Sequence, residues 1–187
     1  MISEDAIVSY LTIDGQVFIA PQFEIQGETD DGRSCPDFVV LDFRRREILI
    51  VEVTDAANWQ PLASRIADRT RRWFNPARRR LEQGRIVDSS WSGPRFLGFV
   101  REAAIPGLEA RFIKDDDVTF CPAEQASLMW KCGEARLRDG LPDKRLASVS
   151  PALASGTAAV CATLCHVAER PVRGQRLQQG NVSSRAP

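Results

Sequence analysis

Two apolar runs joined by a short basic segment dominate the sequence: Pro36-Asp-Phe-Val-Val-Leu-Asp42, Phe43-Arg-Arg-Arg46 and Glu47-Ile-Leu-Ile-Val-Glu-Val-Thr54. Runs rich in β-branched residues on either side of a short polar segment predict an antiparallel hairpin with a four-residue loop. In that register Asp37 faces Glu52, and because side chains alternate along a strand, both lie on one face of the sheet. The nearly continuous apolar character predicts that both faces are covered.

Regular elements are predicted before this hairpin as well. Residues 4–13 carry an amphipathic pattern that predicts a first helix. Val17–Ala20 then leads into Phe23–Ile25 as a strand interrupted near Pro21, because proline cannot donate to a strand ladder. Residues 28–34 are predicted to form a polar loop.

After the hairpin, residues 61–74 have helical periodicity. Asn75 as an N-cap and Pro76 at the first helical position predict a second helix that runs to about Gln83 and stops at Gly84. In the first of these helices the predicted inward residues are Leu62, Ile66, Thr70 and Trp73, and the neighbouring basic stripe is Arg65, Arg69 and Arg72.

Strands over 95–100 and 118–121 and a helix over 123–137 complete the pattern. Helices interspersed with strands predict an α/β fold, with a mixed sheet of about four to five strands flanked by helices. From about Leu141 the composition changes to Ala, Ser, Gly and Pro, and the last fifteen residues have a composition typical of disorder. We therefore predict one domain over 1–138 and a partly disordered extension over 139–187.

The charges are balanced in number and uneven in position. The 187 residues carry 25 basic and 25 acidic side chains. Residues 1–57 hold twelve acids and four arginines, a net −8, whereas residues 61–85 hold eight arginines and two acids, a net +6. Such a basic segment favours contact with phosphates, although many arginine stripes simply face solvent.

Histidine and cysteine usage excludes several kinds of site. His166 is the single histidine of the chain, so histidine-dependent hydrolysis and multi-histidine metal sites are not expected. Five cysteines without paired CxxC spacing indicate neither a disulfide framework nor a zinc finger. The N-terminus lacks the pattern of a secretory signal, so a cytoplasmic location is expected. The uncharged run 151–168 is too weakly hydrophobic to predict a membrane span.

Asp37 and Glu52 are the main candidates for chemistry. Two like charges beside each other in an apolar hairpin are costly to bury unless a cation lies between them. Mg²⁺ or Mn²⁺ is the natural occupant, because such ions are held by one or two carboxylates and substrate phosphate. The alternatives are that Asp37 serves only a turn after Pro36 and that the arginines are solvated.

Pro36-Asp37, fourteen intervening residues and Glu52-Val53-Thr54 together resemble the motif of the PD-(D/E)XK nuclease superfamily, the restriction-endonuclease-like fold. The predicted order of elements over residues 3–100 is similar too. The resemblance implies that Asp37 and Glu52 are catalytic metal ligands and that Glu4, on the first helix, is a further ligand. It also offers Gln22 and Glu24 as accessory polar residues.

Thr54 departs from the motif, which has a lysine at this position. Thr54 offers a hydroxyl without charge or useful basicity. In some members of the superfamily the basic residue lies on the following helix, which here implies Arg65 or Arg69. Arginine stabilises charge on a transition state but does not act as a general base.

The resemblance implies a Mg²⁺- or Mn²⁺-dependent nucleic-acid phosphodiesterase, a DNA endonuclease or exonuclease. Arg65, Arg69 and Arg72 would contact the backbone phosphates. The missing lysine favours the alternative of an inactive module that binds nucleic acid or a protein partner. The sequence leaves open whether the chain forms a homodimer, and it predicts no membrane partner.

Overall fold

The computed structural model of the protein describes residues 4–26, 33–126 and 128–147. Its centre is a five-stranded mixed sheet. In spatial order its strands are β1 (Val17–Pro21), β4 (Phe38–Asp42), β5 (Glu47–Thr54), β6 (Ser92–Val100) and β7 (Val118–Pro122). The first two pairings are antiparallel and the last two parallel. A small separate hairpin consists of β2 (Ile25–Gln26) and β3 (Arg33–Ser34).

Helices flank this sheet, so the predicted α/β class is confirmed. The α-helices are α1 (Glu4–Thr12), α2 (Gln60–Ala67), α3 (Asn75–Gln83), α4 (Ile105–Arg111), α5 (Ala123–Ala126), α6 (Met129–Asp139) and α7 (Lys144–Ala147). A π-helical turn, Thr70–Phe74, joins the second and third helices, and a 3₁₀ turn, Glu102–Ala104, precedes α4.

The sheet is covered on both faces, as the two apolar runs predicted. One apolar cluster joins the β4 and β5 residues Val39, Leu41, Ile48 and Ile50 to the buried side chains of α2, the π-helical turn, α3 and α4. The other joins the alternate residues Phe38, Val40, Leu49 and Val51 to α1 and α5. The alternation of strand side chains therefore assigns each residue of the hairpin to one of two cores.

The predicted hairpin register is confirmed. Phe38 pairs with Val51 and Asp42 with Glu47, and Phe43–Arg46 form the loop. Two of its arginines support distant structure: Arg44 and Arg45 donate to backbone carbonyls at the end of α6. Part of the positive charge of this loop therefore stabilises a helix C-terminus, where cations are favourable.

The helix predicted over residues 61–74 is interrupted. Asp68 has φ −102° and ψ 15°, so α2 ends there, and the wider π-helical turn follows. The π-helical turn therefore changes which side chains face the sheet. Trp73 and Phe74 are both buried, whereas Thr70, which was predicted to face inward, is exposed. Asn75 was also wrongly predicted as an N-cap, because its backbone is helical and continuous with the preceding turn.

Other predicted boundaries also need correction. The single helix expected over 123–137 is divided, because Leu128 has a non-helical backbone with φ −101° and ψ 52°. Residues 28–34 were predicted as loop throughout, yet Arg33 and Ser34 pair with β2. The helix α4 was not predicted at all, because it has only seven residues and carries proline and glycine.

The packed structure continues past residue 138, the predicted end of the domain. Leu141 is buried among the residues of the second core. Arg95 and Glu47 form an ion pair of 2.9 Å in which both side chains are almost fully buried, and Arg145 contacts the same glutamate. Residues 141–145 are therefore part of the domain. The predicted features over 148–187, including the uncharged run and His166, lie outside the described residues.

Candidate functional site

Asp37 immediately precedes β4, and continuing the Phe38–Val51 pairing by one residue places it opposite Glu52, on the same face of the sheet. The Asp37 Oδ2 atom accepts a hydrogen bond of 2.6 Å from the backbone N–H of Val53. In return, the backbone N–H of Asp37 donates to the Glu52 carboxylate. These reciprocal contacts set the orientation of both carboxylates without any lysine.

Gln22 extends this row by one strand. Its backbone N–H donates to the carbonyl of Asp37 over 2.9 Å, which continues the ladder beyond Pro21. Gln22 has a positive φ of 47°, a conformation uncommon for non-glycine residues. Gln22 contributes this backbone hydrogen bond, which holds the chain before β4 in place.

Aromatic rings cover the other side of Glu52. Its neighbour on β6 is Gly98. A Cβ atom at Gly98 would lie 2.9 Å from the Phe96 ring and 3.0 Å from the Phe120 ring, so these rings fill the space that a side chain would take. Glu52 is consequently only 3% exposed. Burying a carboxylate in such surroundings requires a cation or a proton.

Arg65 supplies that cation in the described structure. Leu62 and Ile66 anchor α2 to the first core, and the intervening Arg65 extends towards the end of β5. Its Nη1 atom lies 2.8 Å from the Oε2 atom of Glu52. The glutamate side chain is 4% exposed and the arginine side chain 38%, so the arginine has access to solvent and the glutamate does not.

The electrostatics of the pair are dominated by burial. Desolvation raises the pKa of Glu52 to about 7, and the negative charge of Asp37 acts in the same direction. Arg65 and Arg72 oppose the rise but do not cancel it. A strongly raised pKa that arises from burial and specific charged neighbours is typical of functional sites.

Thr54, which occupies the lysine position of the motif, has a local contact. Its Oγ1 atom accepts a hydrogen bond of 3.2 Å from the backbone N–H of Ala56. This contact closes the turn after β5, a common use of threonine hydroxyls. The hydroxyl thus has a structural contact of its own and brings no base to the acid pair.

The three arginines of the predicted basic stripe differ in their contacts. Arg69 donates to Asp115 and Asp117 over 2.7 Å each, so it holds the loop before β7. Arg72 is exposed, with its guanidinium 5.8 Å from the centre of the Trp73 ring, and its charge acts on Glu52. Arg65 therefore contacts the acid pair and Arg72 acts on it electrostatically, whereas Arg69 is engaged elsewhere.

Glu4, the third predicted metal ligand, is exposed at the start of α1. This helix packs through Ile7 and Leu11 against the second core. Glu52 projects from the opposite face of the sheet, the face of Ile48 and Ile50. Glu4 therefore belongs to a helix that lies on the other side of the sheet from Asp37 and Glu52.

Glu24 and the acid pair have a common neighbour in Cys35. The exposed Cys35 thiol is influenced by three carboxylates at once: desolvation and the negative charges of Glu24, Asp37 and Glu52 raise its pKa. The thiol consequently stays protonated near neutral pH and is a poor nucleophile. Glu24 and the acid pair therefore act electrostatically on the same thiol.

Sequence reasoning did not identify the contact of Arg80 with the segment that precedes β2. Its guanidinium lies 5.6 Å from the centre of the Phe23 ring, beside Glu24 in the chain. The π-helical turn rotates α3 relative to α2, so helical periodicity alone could not indicate where Arg80 would lie.

No protein-family profile, curated protein or solved structure matches the chain. No helix within residues 4–26, 33–126 and 128–147 is long and apolar enough to cross a membrane.

The donor set at the site consists of hard oxygen atoms. In the described part of the chain, no group of three or more His, Cys, Asp or Glu side chains is arranged to hold a metal ion. Two facing carboxylates still suit Mg²⁺ or Mn²⁺, because such ions retain water and phosphate oxygens as their remaining ligands. They do not suit zinc, which prefers a closed set of nitrogen and sulfur ligands.

Proposed function

We propose that the protein is a metal-dependent nucleic-acid phosphodiesterase that acts on DNA, with a restriction-endonuclease-like fold. One observation carries the proposal: the buried Glu52 and the half-buried Asp37 share one face at the end of two central strands, and Arg65 pairs with Glu52. The order of helix, antiparallel strands, helices and parallel strand supports the fold assignment.

Asp37 and Glu52 would hold Mg²⁺ or Mn²⁺. The carboxylate of Asp37 accepts the Val53 N–H through one oxygen, which leaves the other oxygen available for an ion. A bound divalent ion would supply an activated water and neutralise charge on the scissile phosphate. The acid pair fits this role through the chemistry and common orientation of its donors.

The basic side chains would position the phosphate. Arg72 is exposed and Arg65 partly exposed, so each guanidinium can reach a backbone phosphate at the surface. Arg69 is better described as structural, since its guanidinium is held by two aspartates. Because Thr54 brings no base, proton removal from water would depend on the metal.

Cleavage assays with matched variants test this proposal. We expect purified wild-type protein to cut DNA in Mg²⁺ or Mn²⁺, and Asp37→Asn and Glu52→Gln to lower the rate by about 100-fold or more. Asp116→Asn is the control, because Asp116 is an exposed acid in the loop before β7. If Asp37→Asn and Glu52→Gln cut DNA as fast as wild type, the acid pair is not the active site.

A second function is favoured by a specific observation. Glu52 is already neutralised by Arg65, and Thr54 replaces the motif lysine, as in a module that binds nucleic acid or a protein without cleaving it. Such a module would bind DNA in a salt-sensitive manner and show no cleavage in Mg²⁺ or Mn²⁺. Absence of binding to DNA or RNA at low salt would favour a protein partner instead.

A further inference from the structure

The guanidinium of Arg65 lies beside the buried Glu52 carboxylate, which requires a positive charge next to it when it is ionised. Its Nη1 atom is 2.8 Å from a glutamate oxygen that has almost no contact with solvent. A second charge-assisted contact comes from the backbone N–H of Asp37. The described structure thus neutralises Glu52 with a side chain of the protein itself.

A divalent ion bound to Glu52 would lie beside the guanidinium of Arg65, which contacts the Oε2 atom of the same carboxylate. Two cations beside a carboxylate that is only 4% exposed repel each other, because burial reduces the screening of their charges. Arg65 is partly exposed, so its guanidinium can leave Glu52 and remain hydrated, whereas Glu52 cannot move out of the core. A substrate phosphate would offer the departing guanidinium a new anionic partner.

We propose that Arg65 is an internal gate for the metal site: it pairs with Glu52 in the resting protein and moves to a substrate phosphate when a divalent ion binds. This inference rests on the proposed function, because it assigns a regulatory role to the same acid pair. Thermodynamic linkage then requires that bound phosphate increases the affinity of the protein for the metal ion, and that bound metal increases its affinity for phosphate to the same extent. The protein would hold metal weakly until nucleic acid arrives.

Mn²⁺ binding to the full chain without nucleic acid tests the gate, with the free ion quantified by electron paramagnetic resonance. We expect Arg65→Gln to bind Mn²⁺ on the order of fivefold more tightly than wild type, since the competing ion pair is gone. Arg65→Met serves as a second variant that also lacks the charge and keeps the aliphatic stem. Arg71→Gln is the charge-matched control, because Arg71 pairs with the exposed Asp68.

The measurements should be made at about pH 8 and at about pH 9, because removal of Arg65 raises the pKa of Glu52 and a bound proton then competes with Mn²⁺; the affinities at the higher pH decide the comparison. Tighter binding by either folded Arg65 variant, with Arg71→Gln unchanged from wild type, supports the gate. Equal or weaker binding by the Arg65 variants overturns the gate and leaves the metal site intact. If neither wild type nor these variants bind Mn²⁺, both the gate and the proposed metal-dependent function fail.

Discussion

Replacing Glu52 with glutamine should stabilise the protein above neutral pH. The folded state raises the pKa of Glu52 from 4.5 to about 7, chiefly by burial. Between these two values the folded protein holds a proton that the unfolded chain has released, so the free energy of unfolding falls as pH rises through this window. Glutamine resembles the protonated acid and carries no such dependence.

The size of the effect follows from the same two values. At about 1.4 kcal/mol for each tenfold change in proton affinity, the ionised Glu52 costs about 3 kcal/mol of stability at about pH 8. Little discount for solvent is needed, because the Glu52 side chain is 4% exposed. We therefore expect wild type and Glu52→Gln to be similarly stable near pH 5 and to differ by up to about 3 kcal/mol near pH 8.

Urea unfolding in metal-free buffer at a series of pH values measures this difference. Glu134→Gln is a suitable control, because Glu134 is an exposed glutamate on α6. The control should follow the wild-type curve at every pH. A constant difference between wild type and Glu52→Gln from about pH 5 to about pH 8 would refute the reasoning. So would a Glu52→Gln protein that loses stability relative to wild type as the pH rises.

Three further predictions concern stability and the basic surface. Arg69→Gln should lower the free energy of unfolding by about 1–2 kcal/mol and change DNA affinity no more than Arg71→Gln does, because Arg69 holds Asp115 and Asp117. Urea unfolding and DNA titration separate these effects. Arg95→Ala should cost about 3 kcal/mol in urea unfolding, because it removes a buried side chain with its contact to the Pro142 carbonyl and leaves Glu47 with Arg145 alone. A chain ending at residue 138 should have a lower melting temperature than a chain ending at residue 147, because it lacks the buried Leu141.

Much of the central sheet could be predicted from local sequence. The β4–β5 hairpin follows from two β-branched runs and a short polar loop, and its register follows from the loop length. Once the register is known, the period of two along each strand brings Asp37 and Glu52 to one face. The pairing of the two acids is therefore a local property of the chain.

The partners of these acids could not be predicted in the same way. The contact between Arg65 and Glu52 depends on how α2 packs over the sheet, and the separation of Arg69 from the site depends on the loop before β7. The π-helical turn changed which side chains of the basic segment face inward, and period counting assumes a regular helix.

The sequence by itself determined the hairpin, its register and the presence of two carboxylates on one face, because these depend on neighbouring residues and strand geometry. Only the tertiary structure decided that Glu52 is buried beside Gly98 and the aromatic rings that cover it. It also decided that Arg65 is the counter-ion of Glu52 and that Glu4 lies on a helix across the sheet. Burial and ion pairing depend on residues far apart in the chain, and their positions are set only when helices and sheet pack together.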